Sequence, residues 1–223
     1  QFSGYNIKDI IVDPETPSTI TAVSSYGAGA NHIHRSTNGG ATWTQMSTTA
    51  RYWSGLTIGA KDASNVRPMY VISESPVACF RSLDRGASWS AVTLPTAGGG
   101  ALDIVASKVN SNNVYVLCSA TRSIYKSVDR GATWTNVSAG FPNGNASLGA
   151  NYNWSQAGYD FYIDCSSNAG TDVLYVGLID VAQSPDAGAT WRSVGQAYTG
   201  SAMLHNDQHG FAVDPVNPNR FYC

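Results

Sequence analysis

The sequence predicts an all-β fold, a β-propeller of four-stranded antiparallel blades, and three observations support that prediction. An eight-residue motif recurs four times, short β-rich runs surround every copy, and no useful window of the 223 residues has helical periodicity. Charged residues make up only 13% of the chain, whereas 22 glycines offer many positions for turns. This composition is typical of a turn-rich all-β protein.

The repeated motif has the pattern S-x-[DN]-x-G-x-[ST]-W. Its copies are STNGGATW at 36–43, SLDRGASW at 82–89, SVDRGATW at 127–134 and SPDAGATW at 184–191. Successive copies start 46, 45 and 57 residues apart, close to the length of a propeller blade, which is roughly 40–50 residues. The longer third interval predicts one insertion before the fourth copy.

The residue types of the motif predict a hairpin turn. The Asp or Asn side chain can accept hydrogen bonds from nearby backbone N–H groups, and the Gly can adopt a positive φ. The Trp then enters the next strand, where we expect it to be largely buried between neighbouring sheets. Because these residues repeat, we predict that they are structural rather than catalytic. They are Asn38, Asp84, Asp129, Asp186, Trp43, Trp89, Trp134 and Trp191.

Each repeat contains short β-forming runs separated by turn residues. These runs are 7–12, 20–24, 32–36 and 42–46 in the first repeat, 101–106, 114–118, 123–127 and 133–137 in the third, and 161–165, 173–177, 181–184 and 190–194 in the fourth. A fifth unit starts with GFAVDP at 210–215, which resembles IIVDP at 10–14.

The repeats predict one propeller over residues 1–223. Its blade units are approximately 1–50, 51–96, 97–142, 143–199 and an incomplete 200–223. A blade without its outer strands leaves an unpaired edge, so the chain is either part of a longer polypeptide, which we expect, or an unusual incomplete ring.

Charge and hydropathy exclude some partners, and other features predict secretion. A net charge of −2 provides no basic surface for a nucleic acid, and no run approaches the ~20 apolar residues that span a bilayer. Three N-x-S/T sequons and an even number of cysteines predict an extracellular protein. The sequon asparagines are Asn136, Asn145 and Asn153, and the cysteines are Cys79, Cys118, Cys165 and Cys223. We expect the sequons to lie in loops that tolerate glycans.

The four motif copies resemble the Asp-box, or bacterial neuraminidase repeat, of sialidases, xyloglucan-cleaving glycoside hydrolases and sortilin-like receptor domains. The segment HNDQH at 205–209, followed by FAVDP at 211–215, also resembles a stretch of secreted glycosyl-hydrolase-like and sortilin-like propellers. The resemblance implies an Asp-box propeller. It does not imply one activity, because these families share the repeat and differ in function.

Two of the activities implied by the resemblance find little support in the residues. A sialidase needs an arginine cluster and a Tyr nucleophile paired with Glu, but Glu occurs only at Glu15 and Glu74, and Arg35 and Arg81 directly precede motif serines. A xyloglucan hydrolase needs two Asp residues across a cleft between two propellers, and the chain has no matching motif for either.

The loops that lead into the predicted inner strands are rich in aromatic residues. Loops of this kind emerge on one face of a propeller, beside its central channel. A flat aromatic face beside polar groups suits a sugar ring, so these side chains are candidate ligand-binding residues. The alternative is that they pack between blades or cover the channel. They are Tyr52, Trp53, Tyr152, Trp154 and Tyr159.

A polar cluster precedes the fifth unit. His205, Asp207 and His209 would point to one side of an extended segment, because alternate residues of a strand share a face. The cluster could bind a ligand or a metal, or it could hold Asp207 as a catalytic acid or base. The alternative is a hydrogen-bonded anchor for the next strand. Asp160 is the candidate carboxylate partner of Asp207.

These observations predict a secreted carbohydrate-active or carbohydrate-binding propeller that is related to glycoside hydrolases, with a glycan as its partner and no cofactor. The alternatives are a non-catalytic, sortilin-like propeller that binds a protein or peptide, and an extracellular structural module. Dense aromatic residues on one face favour the sugar.

Overall fold

The fold was analysed in a computed structural model. It describes residues 6–25, 31–47, 49–96, 99–142, 152–195, 204–205, 207–214, 217 and 220–223, except for the side chain of Tyr152. The described residues form four complete four-stranded antiparallel sheets and a fifth, two-stranded sheet. This architecture confirms the predicted β-propeller fold with an incomplete last blade.

The strands follow chain order within every sheet, from the inner to the outer edge. The first sheet contains β1 (Ile7–Val12), β2 (Ile20–Ser24), β3 (Ile33–Ser36) and β4 (Thr44–Gln45). The second contains β5 (Tyr52–Ile58), β6 (Met69–Ser75), β7 (Val77–Ser82) and β8 (Ser90–Val92). The third contains β9 (Leu102–Ala106), β10 (Val114–Cys118), β11 (Ser123–Ser127) and β12 (Thr135–Asn136).

The fourth sheet contains β13 (Tyr162–Asn168), β14 (Thr171–Gly177), β15 (Val181–Ser184) and β16 (Arg192–Ser193). The fifth contains β17 (Ala212–Val213) and β18 (Phe221–Tyr222). A short 3-10 turn at Tyr152–Trp154 lies in the insertion before the fourth sheet. Within the described ranges, no helix has the length and apolar character needed to cross a membrane.

The hydrophobic core lies between successive sheets. The ladder registers place Ile10, Leu56, Ile104 and Ile163 at equivalent inner-strand positions. Leu56, Ile104 and Ile163 are 6%, 3% and 5% exposed, whereas Ile10 is 54% exposed. The difference arises because the second, third and fourth sheets each pack against the sheet before them. The first sheet has no preceding sheet among the described residues.

Two inner-strand carboxylates also tie neighbouring sheets together. Asp9 accepts the N–H of Leu56 at 3.1 Å, and Asp103 accepts the N–H of Ile163 at 2.9 Å. Burial raises the pKa of Asp103 to about 7, although these backbone hydrogen bonds oppose the shift. Gly55 occupies the equivalent position in β5, where a Cβ atom would collide with the Asp103 carboxylate.

The four motif copies form the hairpin turns that the sequence predicts between the third and fourth strands. In the third sheet, Asp129 accepts hydrogen bonds from Ser127 Oγ at 2.7 Å, the Thr133 N–H at 2.8 Å and Thr133 Oγ1 at 2.5 Å. These hydrogen bonds, the one from the Thr133 hydroxyl foremost, lower the pKa of Asp129 to about 2. The motif carboxylate is therefore an ionised acceptor that closes its own turn.

The motif glycine packs the turn onto the preceding sheet. Gly131 has a φ of +88°, and a Cβ atom there would lie 2.7 Å from Val92 at the edge of the second sheet. The same turn is tied to the second sheet by Arg130, whose Nη2 lies 2.8 Å from Asp62 Oδ2. Glycine thus provides both the left-handed backbone and the space for close packing.

The motif tryptophans occupy equivalent positions, as the sequence predicts. All four are partly buried, and Trp89, Trp134 and Trp191 pack against the hydrophobic cores between sheets. Their indole N–H groups have carbonyl partners: Trp43 and Trp89 bond the glycine of their own turn, whereas Trp134 and Trp191 bond Thr93 and Val137 near the end of the preceding sheet.

Two features that predicted secretion look different in the structure. All four cysteines are free, and Cys79, Cys118 and Cys165 are buried as small apolar side chains. Asn153 is also buried: its Nδ2 donates to the Pro142 carbonyl and its Oδ1 accepts the Asp180 N–H. The expectation of a glycan-tolerant loop is therefore wrong for Asn153. Asn136 is exposed in β12, and Asn145 lies outside the described residues.

Candidate functional site

The candidate site lies where three segments meet at one end of the fourth sheet. Because the strands are antiparallel, the residues before β13 and the turn between β14 and β15 lie at the same end of this sheet. The segment before the fifth sheet pairs with that turn: the Asp207 N–H donates to the Ile179 carbonyl and the Gln208 N–H to the Leu178 carbonyl, both at 3.1 Å. This pairing brings Asp207 beside Asp160.

Asp160 is completely buried, and its carboxyl group faces two titratable side chains. The carboxyl group of Asp207 lies within hydrogen-bond range, and His209 Nε2 lies 3.3 Å from Asp160 Oδ1. Among the described residues, no donor reaches either Asp160 oxygen, or Asp207 Oδ1, with hydrogen-bond geometry. Two ionised carboxylates would therefore repel each other here, and one shared proton would join them.

The protonation of Asp160 follows from this environment. Burial is the main cause that raises its pKa to about 6, and the negative charge of Asp207 adds to the effect. The nearby His209 acts in the opposite direction. A carboxyl group with this pKa can hold a proton in mildly acidic solution and donate it to Asp207.

An exposed aromatic pair, Tyr159 and His209, lies next to the carboxyl group of Asp160. The rings of Tyr159 and His209 meet edge to face, with centroids 4.3 Å apart. The Nε2 edge of the His209 ring faces Asp160, and Tyr159 is 66% exposed. The site therefore presents an aromatic surface next to hydrogen-bonding groups.

Two residues that the sequence analysis did not assign to the site hold its loop in place. Asn153 binds the backbone N–H of Asp180, and the Asp180 carboxylate accepts the N–H of Val181 and the hydroxyl of Ser193. These contacts connect the loop before β13 to the turn between β14 and β15. Because the N-x-S pattern at Asn153 also matches a glycosylation sequon, the sequence offered no separate signal for this role.

The structure does not expose all of the predicted aromatic residues. Trp53 and Trp154 are buried, so neither presents an exposed aromatic face for a ligand at the Asp160 site. Trp53 packs against Phe80 and Trp154 against Phe141, which is the packing alternative that the sequence left open. Tyr52 is exposed at the start of β5, two sheets away from Asp160. The side chain of Tyr152 lies outside the described residues.

The segment around Asp207 is not the extended strand that the sequence predicted. Asp207 has a φ of +67°, in the left-handed region, which breaks the alternation that would place His205, Asp207 and His209 on one side. Instead, His209 turns toward Asp160, and the His205 carbonyl accepts a hydrogen bond from Gln208. The described residues contain no group of three or more His, Cys, Asp or Glu side chains that could hold a metal ion.

The spacing of the two carboxyl groups limits the chemistry of the site. Paired-carboxylate glycosidases separate these groups by about 5–5.5 Å for a nucleophile, or by about 6.5–9.5 Å when a water attacks. Asp160 and Asp207 lie in direct hydrogen-bond range, which leaves no space for a sugar between them. This geometry suits a shared proton and a binding surface better than glycosidic cleavage.

Comparison with known proteins supports the fold at low sequence identity. No family model and no curated protein sequence matches the chain. An ancestral GH74 enzyme is similar over 95% of this chain and 28% of its own, with a TM-score of 0.64 and 18% identity. YCF48 from Cyanidioschyzon merolae is similar over 85% of this chain and 56% of its own, with a TM-score of 0.58 and 16% identity.

A GH74 enzyme from Niastella koreensis is also similar, with a TM-score of 0.51 and 16% identity over 86% of this chain and 30% of its own. The chain thus spans slightly more than half of the YCF48 chain and less than a third of either GH74 enzyme. YCF48 and the GH74 enzymes share this architecture, so the fold alone does not identify an activity.

Proposed function

We propose that this chain is part of an extracellular propeller of the Asp-box group that binds carbohydrate at the Asp160 site. The observation that carries the proposal is the exposed Tyr159 ring, which contacts the imidazole of His209, the neighbour of Asp160. An aromatic face covers the apolar side of a sugar ring, and the exposed imidazole of His209 can bind its hydroxyls. Similarity to two GH74 enzymes agrees with a carbohydrate ligand.

Binding, rather than hydrolysis, is the proposed activity, because the two carboxyl groups are too close for the paired-carboxylate mechanism. The exposed Asn136 sequon is the remaining feature that favours an extracellular location. The proposed carbohydrate binding and the proposed extracellular location do not depend on each other.

A glycan array, followed by calorimetry with the best ligand, tests the proposal. We expect Tyr159→Ala to weaken binding about threefold to tenfold by removing the stacking face. Tyr222→Ala is the matched control, because Tyr222 is 61% exposed in β18, outside the site. Asp207→Asn should also weaken binding, because the amide changes the hydrogen bonding of the pair and not its shape.

A reducing-sugar assay separates binding from hydrolysis. Release of sugar by the native protein that Asp207→Asn abolishes, with binding retained, would replace the binding proposal with a hydrolase. Binding of a peptide and of no plant, fungal or bacterial polysaccharide would instead favour a protein-binding or peptide-binding propeller.

A further inference from the structure

A separate cavity of about 170 Å³ lies between the first and second sheets. Thr49 and Arg51 lie on the loop that borders it, and its apolar lining residues are Ile33, Met46, Trp53, Phe80 and Trp89. The cavity is partly open to solvent and shares no lining residue with the Asp160 site. An apolar cavity of about 150 Å³ in another protein is large enough to bind benzene.

The boundary between the third and fourth sheets shows what fits in such a cleft. There, Phe141 follows β12, and its ring centroid lies 5.2 Å from that of Trp191. Trp191 is the motif tryptophan of the fourth sheet, as Trp89 is of the second. At this boundary, the chain itself places an aromatic ring against the motif tryptophan.

The first sheet has no counterpart of Phe141. The backbone N–H of Met46 bonds the Ile33 carbonyl, just as that of Val137 bonds the Ile124 carbonyl in the third sheet. From this equivalent point, the chain continues as STTAR over 47–51, with no aromatic residue. Phe80 fills part of the cleft, where the fourth sheet has the smaller Ala182, and the cavity remains beside it.

A cation borders the unfilled space. The Arg51 guanidinium lies 5.3 Å from the centroid of the Phe80 ring, and its Nη1 donates to the Pro76 carbonyl at 3.1 Å. None of the ion pairs among the described residues involves Arg51. A half-buried guanidinium held in this way still has N–H donors available, and its planar geometry matches that of a carboxylate.

We propose that this cavity is a binding site for a small aromatic carboxylate. The ring of the ligand occupies the space beside Trp89 that corresponds to the position of Phe141 at the other boundary. Its carboxylate pairs with Arg51 at the rim. The apolar walls favour the ring over water, and the guanidinium selects an acid over a neutral aromatic compound. This site is independent of the proposed carbohydrate site.

Calorimetric titration with phenylacetate tests the proposal. We expect one saturable site, with at least about tenfold weaker binding of benzyl alcohol, which keeps the ring and lacks the charge, and no binding of acetate. Arg51→Gln should reduce the affinity for phenylacetate by about tenfold. Arg122→Gln is the matched control, because it removes the same charge from an exposed turn of the third sheet and should change nothing.

A second variant keeps the test decisive if Arg51→Gln fails to fold. Thr49→Phe leaves Arg51 in place and fills the cavity from the loop, as Phe141 does elsewhere, so it should abolish binding and preserve the thermal transition. The proposal is overturned if the native protein does not bind phenylacetate at millimolar concentration. It is also overturned if benzyl alcohol binds equally well, or if Thr49→Phe binds phenylacetate with native affinity.

Discussion

The acidic side chains at the two ends of the sheets have opposite environments. In the motif turns at one end, Asp129 is only partly buried, accepts three hydrogen bonds and has its pKa lowered to about 2. At the other end, Asp160 is buried beside Asp207, lacks a donor among the described residues and has its pKa raised to about 6. The first carboxylate stabilises a turn, whereas the second is left available for a proton.

The backbone explains why the two environments differ. A motif turn directs its own N–H groups and hydroxyls at the carboxylate, so the same local sequence produces the same set of hydrogen bonds four times. The N–H of Asp160 instead donates to the Gln156 carbonyl at 2.9 Å, and the neighbours of its carboxyl group come from residues 47 and 49 positions later. Local sequence therefore satisfies the first carboxylate, and only tertiary packing decides the surroundings of the second.

The largest expected effect comes from crowding a motif turn. Gly131→Ala should lower the free energy of unfolding by about 2–4 kcal/mol, because it combines a left-handed backbone with an overpacked contact to Val92. Urea denaturation measures the change. Gly140→Ala is the control: its φ is +76°, but no atom lies within 4 Å of the added Cβ, so only about 1 kcal/mol should be lost. Equal losses in both variants would show that packing onto the second sheet contributes nothing.

A smaller effect is expected from the motif carboxylate itself. Asp84→Ala should cost about 1–3 kcal/mol, because it removes the acceptor of the Ser82 hydroxyl and of the Ser88 N–H and hydroxyl. Asp84→Asn should cost less than about 1 kcal/mol, since Asn38 already occupies this position in the first turn and bonds Thr42 in a similar way. If Asn proved as damaging as Ala in thermal unfolding, the carboxylate charge would be essential to the turn.

The carboxylates at the two ends should also respond to pH with opposite signs. Hydrogen bonds from Ser88 and Ser82 outweigh the effect of burial and lower the pKa of Asp84, so its contribution to stability is lost as the pH falls below about 4. The raised pKa of Asp160 means that its contribution is present at pH 4 and is lost as the pH rises through about 6.

Asp160→Asn isolates the pH-dependent contribution of Asp160 to stability and should have the smallest effect. Relative to the native protein, this variant should raise the thermal unfolding temperature at pH 8 by a few degrees and change it little at pH 4. Comparing variant with native protein at each pH removes the contributions of Asp9, Asp103 and Asp164, whose pKa values are also raised by burial. A lower unfolding temperature at pH 8 would mean that the ionised Asp160 stabilises the fold.

The strands of the sheets were predictable from the sequence because their signals are local. The predicted runs 7–12, 20–24, 114–118, 123–127 and 181–184 coincide with observed strands, and the errors fall mainly at the outer strands, where 42–46 shortens to Thr44–Gln45. Outer strands pair on one side only, so fewer hydrogen bonds extend them. The loop aromatics were less predictable, because a Trp that packs between sheets and one that stacks on a ligand have the same local sequence.

The sequence by itself determined the all-β class, the repeat, the turn chemistry of each motif and the order of the strands, since each depends on residues within one hairpin. Only the tertiary structure decided that Trp53, Trp154 and Asn153 are buried, and that backbone pairing with the turn between β14 and β15 brings Asp207 beside Asp160. The same holds for the open cleft beside Trp89. These features depend on contacts between sheets, which bring together residues far apart in the chain and leave no periodic pattern in the sequence.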